Sequence, residues 1–314
     1  MANQTMTIKP SPPRQLVYIA GAGHSGSTLL GMILSQHSRM IGLGEVHQVL
    51  RESRFSGIAF TRKKEALCSC GGRIDECVFW GEVARNIESA SATSYVERYR
   101  ILLDVFRRQF GEDAIPVDLS KGLEQLMALS RSDLAVRICV IHLLKDVRAF
   151  AISNLDRYRK LKASGLSATR GTRGFLETFV RRFVPFFFIT WYRQNRRIKE
   201  ALERDKIETF QLGYEELCFA PERSMGMLCE FLGKPMEPAM LSRLEASKSH
   251  ILRGNQMRHR DDRRVISYDN RWLYRNEWTL SSALFRRIMR FNAEEVYSHF
   301  RRSSGPAGSG SSTP

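Results

Sequence analysis

The chain has 314 residues and 49 Lys and Arg against 33 Asp and Glu, which gives a net charge of +16. Hydrophobic residues make up 43% and charged residues 26%, and these ordinary values exclude wholesale disorder. The length suits one large core. The charge predicts an anionic partner, which could be nucleic acid, a membrane surface or a phosphorylated small molecule.

The two ends of the chain and its longest apolar run bear on its location in the cell. Residues 1–14 contain three prolines and no apolar signal core, so we expect a flexible N-terminus. Residues 303–314 are almost all Ser, Gly, Pro, Ala and Thr, which predicts a disordered tail. The apolar run at 183–192 is shorter than the ~20 residues of a membrane-spanning helix. We therefore expect a cytoplasmic protein.

Strands and helices are predicted to alternate. A buried strand at 16–20 leads through a glycine-rich turn into a helix at 27–37. Further elements follow at 114–118 (strand), 123–130 (helix), 137–144 (strand), 149–161 (helix) and 206–212 (strand). This alternation predicts a three-layer α/β/α fold with a central, mostly parallel sheet. The polar turns at the carboxyl ends of the strands should converge on one crevice.

We expect a single domain over residues 15–302. Residues 42–111 fit the alternation poorly and are interpreted as an insertion that includes an amphipathic helix near 95–110. Residues 157–206 hold 14 Lys and Arg against 4 Asp and Glu, with aromatic side chains among them. The favoured interpretation is a core helix with a solvated basic face. The alternative is a surface that meets acidic acceptors or the inner face of a membrane.

The first turn, GAGHSGST at residues 21–28, has the G-x-x-x-x-G spacing of a phosphate-binding loop. Its backbone N–H groups and the following helix dipole can hold a phosphate. A nucleoside triphosphatase has lysine directly after the second glycine, where this chain has Ser27. The loop therefore predicts a phosphate cradle and argues against ATP or GTP hydrolysis, with a purely structural turn as the alternative.

The segment HSGSTLL at residues 24–30 resembles the S-G-[ST]-T-L loop of sulfotransferases that use 3′-phosphoadenosine 5′-phosphosulfate (PAPS). The bacterial Golgi-like and tyrosylprotein branches are most similar. The resemblance implies that the 5′-phosphosulfate is held by Gly23, His24, Ser25, Gly26, Ser27 and Thr28. Many relatives have Arg or Lys in place of His24, so less charge is expected at this position.

Lys145-Asp146-Val147-Arg148, followed by Ser153, resembles the family's 3′-phosphate motif R-D-P-R-A-x-x-x-S. The resemblance implies that Lys145 and Ser153 bind the 3′-phosphate, together with Arg157 one helical turn further on. Lysine in place of the usual arginine keeps the charge but loses the bidentate fork.

Three more blocks follow the family's order. They are VDLSK at 117–121, YEEL at 214–217 and HILRGNQMR at 250–258, which resemble V-D-S-S-K, Y-E-x-L and H-x-x-x-G-N-x-x-R. The resemblance implies that Lys121 reaches the phosphosulfate and that Tyr214 and Arg258 belong to the cofactor site.

Sulfuryl transfer needs cations or N–H donors at the leaving phosphate and a base at the acceptor hydroxyl. Lys121 and the loop suit the first role, and no metal is required. Gly44-Glu45 lies where tyrosylprotein sulfotransferases have a Gly-Glu pair with the catalytic glutamate, so the resemblance makes Glu45 the leading base and His47 the second. Alternatively, Glu45 only begins the helix after Gly44, where negative charge is favourable.

The acceptor is expected to be a hydroxyl or amine on a glycan, glycolipid, peptide tyrosine or small molecule, with basicity favouring an acidic one. No nucleic-acid partner is expected. Two rival functions are a P-loop kinase of a small molecule and a non-enzymatic anion or membrane binder. The missing loop lysine argues against the first, and the ordered motifs argue against the second.

Of six cysteines, Cys139, Cys218 and Cys229 are interpreted as small core residues. The other three form a C-x-C-x6-C cluster at Cys68, Cys70 and Cys77, similar to clusters in bacterial relatives. Three thiolates could bind zinc, but structural zinc usually takes four ligands. We therefore favour a structural role and assign no metal site, while a disulfide or a bound metal ion at these cysteines stays open.

Overall fold

A sheet of five parallel strands, in the order β2-β3-β1-β4-β5, forms the centre of the computed structural model. The structure describes residues 14–50, 67–163, 183–245, 248–252 and 265–303. The strands are β1 (Gln15–Ala20), β2 (Met40–Gly44), β3 (Ile115–Lys121), β4 (Arg137–Leu144) and β5 (Thr209–Gly213). Every residue of β1 is buried, as expected of a central strand that is covered on both faces.

Helices pack on both faces of this sheet. They are α1 (Ser27–Leu34), α2 (Val46–Leu50), α3 (Val78–Ser89), α4 (Tyr95–Phe110), α5 (Leu123–Ser130), α6 (Val147–Ala163), α7 (Val184–Arg204), α8 (Tyr214–Phe219), α9 (Pro221–Leu232), α10 (Thr279–Leu284), α11 (Arg286–Glu295) and α12 (Ser298–Ser303). Two 3₁₀ helices are Pro238–Leu241 and Arg271–Tyr274.

Alternate side chains of β1 face two different cores. Leu16 and Tyr18 pack with residues of α3, α4 and α5, whereas Val17 and Ile19 pack with residues of α1, α8 and α9. This period of two is the signature of a strand that is buried on both sides. The predicted three-layer α/β/α fold is confirmed.

The predicted elements agree with the structure except at the start of the supposed insertion. The strand at 137–144 and the helix at 95–110 match β4 and α4, and α4 begins with a Ser94–Glu97 capping box. Residues 42–44 are not part of an insertion, because they form the carboxyl end of β2. Two glycines within Met40–Gly44 hide this strand in the sequence. It forms through its pairing with β3.

The basic segment 157–206 contains the end of α6 and all of α7. In α7, Phe187, Phe188 and Trp191 are buried, whereas Arg193 and Arg196 are exposed. The interpretation as a core helix with a solvated basic face is confirmed for this described part, and residues 164–182 lie outside it. The predictions for residues 1–13 and 304–314 also lie outside the described residues. Across the described ranges, no helix is long and apolar enough to span a membrane.

The buried carboxylate of Asp146 ties the C-terminal helices to the turn after β4. It accepts hydrogen bonds from the guanidinium of Arg148 at 2.7 and 2.9 Å, from Asn292 in α11 at 2.9 Å and from the Tyr297 hydroxyl at 2.9 Å. Burial opposes its ionisation, but the bonds and charge of Arg148 outweigh burial and hold the pKa of Asp146 below its usual value. The turn that carries Lys145 therefore has a fixed position.

We expect Asp146→Ala to lower the free energy of unfolding by about 3 kcal/mol, because it leaves Arg148 and two other polar groups without their buried acceptor. Denaturant titration would measure this loss. Asp133→Ala is the control, because its 2.5 Å pair with Arg100 is exposed and should contribute less than about 1 kcal/mol. Equal losses in the two variants would contradict the anchoring role of Asp146.

Candidate active site

A cleft of about 1390 Å³ opens at the carboxyl ends of the strands. The turns after β1, β3 and β4 all contribute to it, so the predicted convergence is confirmed. The predicted site residues that line it are Gly23, His24, Gly26, Ser27, Thr28, Glu45, His47, Lys121, Lys145, Ser153, Arg157 and Tyr214. Ser25 is buried beside this lining, and Arg258 lies outside the described residues.

The glycine loop wraps the start of α1 beneath the ring of Tyr214. Gly26 has φ of 95°, and a Cβ there would lie 2.4 Å from the Tyr214 ring. Ser27 and Thr28 form the first turn of α1, which contains no acidic residue. The positive end of this helix therefore faces the cleft without a neutralising carboxylate of its own, an arrangement suited to an anion.

The centre of the cleft is an ion pair between Glu45 and Lys121. The Lys121 Nζ lies 2.5 Å from a Glu45 carboxylate oxygen and 3.3 Å from the Ser27 hydroxyl. The other oxygen of Glu45 accepts a hydrogen bond from Gln48. Both charged side chains are largely buried, with 14% of Glu45 and 16% of Lys121 exposed. Glu45 also directly precedes α2, as the alternative of a residue that only begins a helix requires. That alternative does not explain why the Glu45 side chain pairs with Lys121.

A buried acid supports the carboxyl end of β3, where Lys121 lies. Asp118 accepts bonds from the Ser120 N–H at 2.8 Å, from the Ser120 hydroxyl, and from the Tyr99 hydroxyl at 2.9 Å. Burial raises the pKa of Asp118 to about 7. The Ser120 oxygen also accepts a bond from the backbone N–H of His47 at 2.9 Å, which places His47 on the cleft wall.

His24 is a neutral member of the loop. Desolvation, followed by the positive charge of Arg157, lowers the pKa of His24 to about 4. Its Nε2 lies 3.4 Å from an Arg157 guanidinium nitrogen, so the neutral imidazole can accept that hydrogen bond. The charge that His24 lacks is therefore supplied by Arg157 from α6.

Lys145 is almost fully buried at the far side of the loop. Its Nζ lies 4.6 Å from the centroid of the Tyr214 ring and 3.4 Å from a carboxylate oxygen of Asp269. Ser153 and Arg157 line the cleft from α6. The cleft thus has cations on both sides of the glycine loop, with Lys121 on one and Lys145 and Arg157 on the other.

The segment 267–271 closes one wall of the cleft, and its role was not predicted from the sequence. The Asp269 N–H donates to the Tyr214 hydroxyl at 3.1 Å, and its carboxylate accepts bonds from Arg271 at 2.6 and 2.7 Å. Burial opposes ionisation here, but the bonds from Arg271 and the charge of Lys145 hold the pKa of Asp269 well below its usual value. No local spacing marks this segment, because its role depends on contacts with residues far away in the chain.

A parallel sheet with a glycine loop after its central strand defines an α/β protein of the P-loop type. The model of the sulfotransferase domain family matches residues 14–262, more than half of the chain. The chain therefore belongs to this family and is a sulfotransferase, as its motifs predicted. A comparison with curated proteins returned no match.

Several solved sulfotransferase domains resemble the chain. The domain of the Synechococcus PCC 7002 olefin synthase is 17% identical with a TM-score of 0.48, and the match covers 93% of this chain and 96% of that one. The domain from the curacin biosynthetic pathway is 16% identical with a TM-score of 0.45, covering 88% and 98%. Sulfotransferase STF9 from Mycobacterium avium is 14% identical with a TM-score of 0.42, covering 75% and 67%.

We expect Gly26→Ala to lower the free energy of unfolding by about 2–4 kcal/mol, because the new methyl group adds left-handed strain and collides with Tyr214. Gly23→Ala is the matched control, since a Cβ at Gly23 meets no atom within 4 Å. Its effect should stay below about 0.5 kcal/mol. Denaturant titration measures the free energy of unfolding of both variants. Equal stability of the two proteins would contradict the close packing of Gly26 against Tyr214.

Proposed function

We propose that this sulfotransferase takes its sulfuryl group from PAPS and transfers it to a hydroxyl or amine of an acidic acceptor. The observation that carries the proposal is the meeting, in one cleft, of the glycine loop with Lys121 on one side and with Lys145, Ser153 and Arg157 on the other. The glycine loop and Lys121 suit a phosphosulfate. Lys145, Ser153 and Arg157 suit a further phosphate on the same nucleotide.

The group formed by Lys145, Ser153 and Arg157 supports PAPS as the donor in preference to ATP. Lys121 contacts the loop at the Ser27 hydroxyl, 3.3 Å away, and Arg157 contacts it from the other side through His24 at 3.4 Å. Arg157 and Ser153 lie one helical turn apart on α6, so a phosphate could be bound by both. ATP has no 3′-phosphate for these residues, and the loop has Ser27 in place of the lysine that ATP-hydrolysing enzymes place at its terminal phosphates.

Glu45 and Lys121 support an in-line transfer. In the proposed step, Glu45 takes the proton of the acceptor hydroxyl, a bond forms from that oxygen to sulfur, and the bond from sulfur to the phosphate oxygen breaks. Lys121 and the N–H groups at the start of α1 stabilise the negative charge that develops on the leaving phosphate. Since Lys121 contacts both Glu45 and Ser27, the acceptor side and the leaving side meet at this ion pair.

The outer part of the cleft supports an acidic acceptor. Lys160 and Arg197 line it and are exposed to solvent. A carboxylate, sulfate or phosphate on the acceptor could pair with these side chains while its hydroxyl reaches Glu45. A glycan, a glycolipid at a membrane surface, an acidic peptide with a tyrosine, or an anionic small molecule has this chemistry.

We expect 3′-phosphoadenosine 5′-phosphate to raise the melting temperature more than ATP does at equal concentration. Arg157→Ala should weaken this binding by about ten- to a hundredfold, because it removes charged hydrogen bonds to the 3′-phosphate. Arg193→Ala, which changes an exposed arginine of α7, should have no effect. Stabilisation by ATP but not by the bisphosphate would contradict the donor assignment.

Glu45→Gln should lower kcat by about 10²–10⁴-fold, because glutamine cannot take the acceptor proton. Binding of the bisphosphate should be retained, and calorimetry would check this. Glu124→Gln, at the exposed rim of the same cleft, is the matched control and should keep its activity. A fully active Glu45→Gln enzyme alongside an inactive His47→Asn enzyme would instead make His47 the base.

A further inference from the structure

Four potential metal ligands meet at one point outside the cleft. The ligand atoms of Cys68, Cys70, Cys77 and His250 all lie within 4.8 Å of one another. The three thiols come from the loop before α3, and the imidazole comes from a segment 173 residues after Cys77. The sequence showed three thiolates without a fourth ligand, and the fold supplies that ligand.

Four of the six distances between ligand atoms in this cluster are close to those of a tetrahedral zinc site. With Zn–S bonds of ~2.3 Å and a Zn–N bond of ~2.0 Å, tetrahedral geometry places two sulfurs ~3.8 Å apart and a sulfur and a nitrogen ~3.5 Å apart. The Cys68 and Cys77 sulfurs are 3.7 Å apart, and the Cys70 and Cys77 sulfurs are 3.8 Å apart. The Nδ1 of His250 lies 3.2 Å from the Cys77 sulfur and 3.8 Å from the Cys68 sulfur.

The surroundings hold His250 in position for this role. Its backbone N–H donates to the Gly42 carbonyl at 2.8 Å, and its carbonyl accepts a bond from the Trp80 indole at 2.7 Å. The rings of Phe79 and Phe110 pack around the imidazole, with centroids 5.7 and 5.6 Å away. An imidazole that is fixed among aromatic rings, with its Nδ1 near the Cys68 and Cys77 thiols, is oriented for coordination.

We propose that Cys68, Cys70, Cys77 and His250 bind one structural Zn²⁺ ion. Three thiolates and one imidazole complete a tetrahedral set, which leaves no open position for a substrate, so the ion has a structural role. Soft thiolate ligands favour zinc over magnesium or calcium. Cys70 is exposed, which gives the ion a path from solvent. The proposal does not depend on the donor or acceptor assigned above.

The ion would brace the strand end that carries Glu45. Ser69, between two of the ligands, exchanges hydrogen bonds with Ile251: its N–H donates to the Ile251 carbonyl at 3.1 Å, and its hydroxyl accepts from the Ile251 N–H at 2.8 Å. The next residue, Leu252, accepts a bond from the Glu45 N–H at 3.0 Å. Gly44 permits this contact, because a Cβ there would lie 2.1 Å from the Leu252 carbonyl oxygen. Coordination at His250 thus fixes a segment that contacts Glu45 directly.

The test is the metal content of the full chain, purified under reducing conditions without added metal or chelator. Elemental analysis by mass spectrometry should find about one zinc per chain in the wild-type protein. His250→Ala and Cys77→Ser should reduce this about tenfold or more, whereas Cys229→Ala, which removes a buried thiol elsewhere, should leave it unchanged. Iron in place of zinc, or less than about a tenth of an equivalent of any metal in the folded wild type, would overturn the proposal.

A second measurement uses only the wild-type chain, so it does not depend on variants that fold. Exchange of the zinc for Co²⁺ should produce thiolate-to-cobalt charge-transfer bands and the intense visible bands of a tetrahedral site. Removal of the ion by a chelator should speed amide exchange at 42–45 and 249–252 more than in β4. A disulfide between two of these cysteines in the reduced preparation, or a spectrum without thiolate bands, would contradict the assignment.

Discussion

The ion pair between Glu45 and Lys121 organises the active cleft. Glu45 directly follows β2 and Lys121 is the last residue of β3, and these neighbouring parallel strands pair Gly44 with Asp118. Because parallel strands end at the same edge of a sheet, the two side chains meet at 2.5 Å, and Lys121 also reaches Ser27 at the start of α1. The ends of three elements are thereby joined through one cation, at the place where the proposed reaction needs both a base and a positive charge.

Buried carboxylates support this cleft from behind its turns. Asp118 and Asp146 lie behind the turns after β3 and β4, and each is surrounded by hydrogen-bond donors. Glu215 is close to Asp146, and burial together with that negative charge raises the pKa of Glu215 to about 8. Such clusters of shifted groups are typical of functional sites, where position matters more than stability. Asp118, Asp146 and Glu215 take no part in the proposed reaction, and their role is to hold the turns in position.

Much of the fold and of the cleft could be predicted because the signals are local. Strand β4, helix α4 and the glycine loop are each defined by a short run of residues, and the polar turns lie directly after the strands. Three features depended on distant contacts and were missed. Strand β2 is short and rich in glycine, segment 267–271 acquires its role only by contact with Tyr214 and Lys145, and His250 reaches the cysteines across 173 residues. A sequence pattern cannot show which distant segments the folded chain brings together.

A crystal structure of the full chain with 3′-phosphoadenosine 5′-phosphate tests the central claim most directly. The account predicts the 5′-phosphate at the N–H groups of the loop at 21–28, near Lys121. It predicts the 3′-phosphate within hydrogen-bond distance of Ser153 and Arg157. A bisphosphate bound elsewhere, or bound in the cleft with its 3′-phosphate away from α6, would contradict the assignment of this cleft to PAPS.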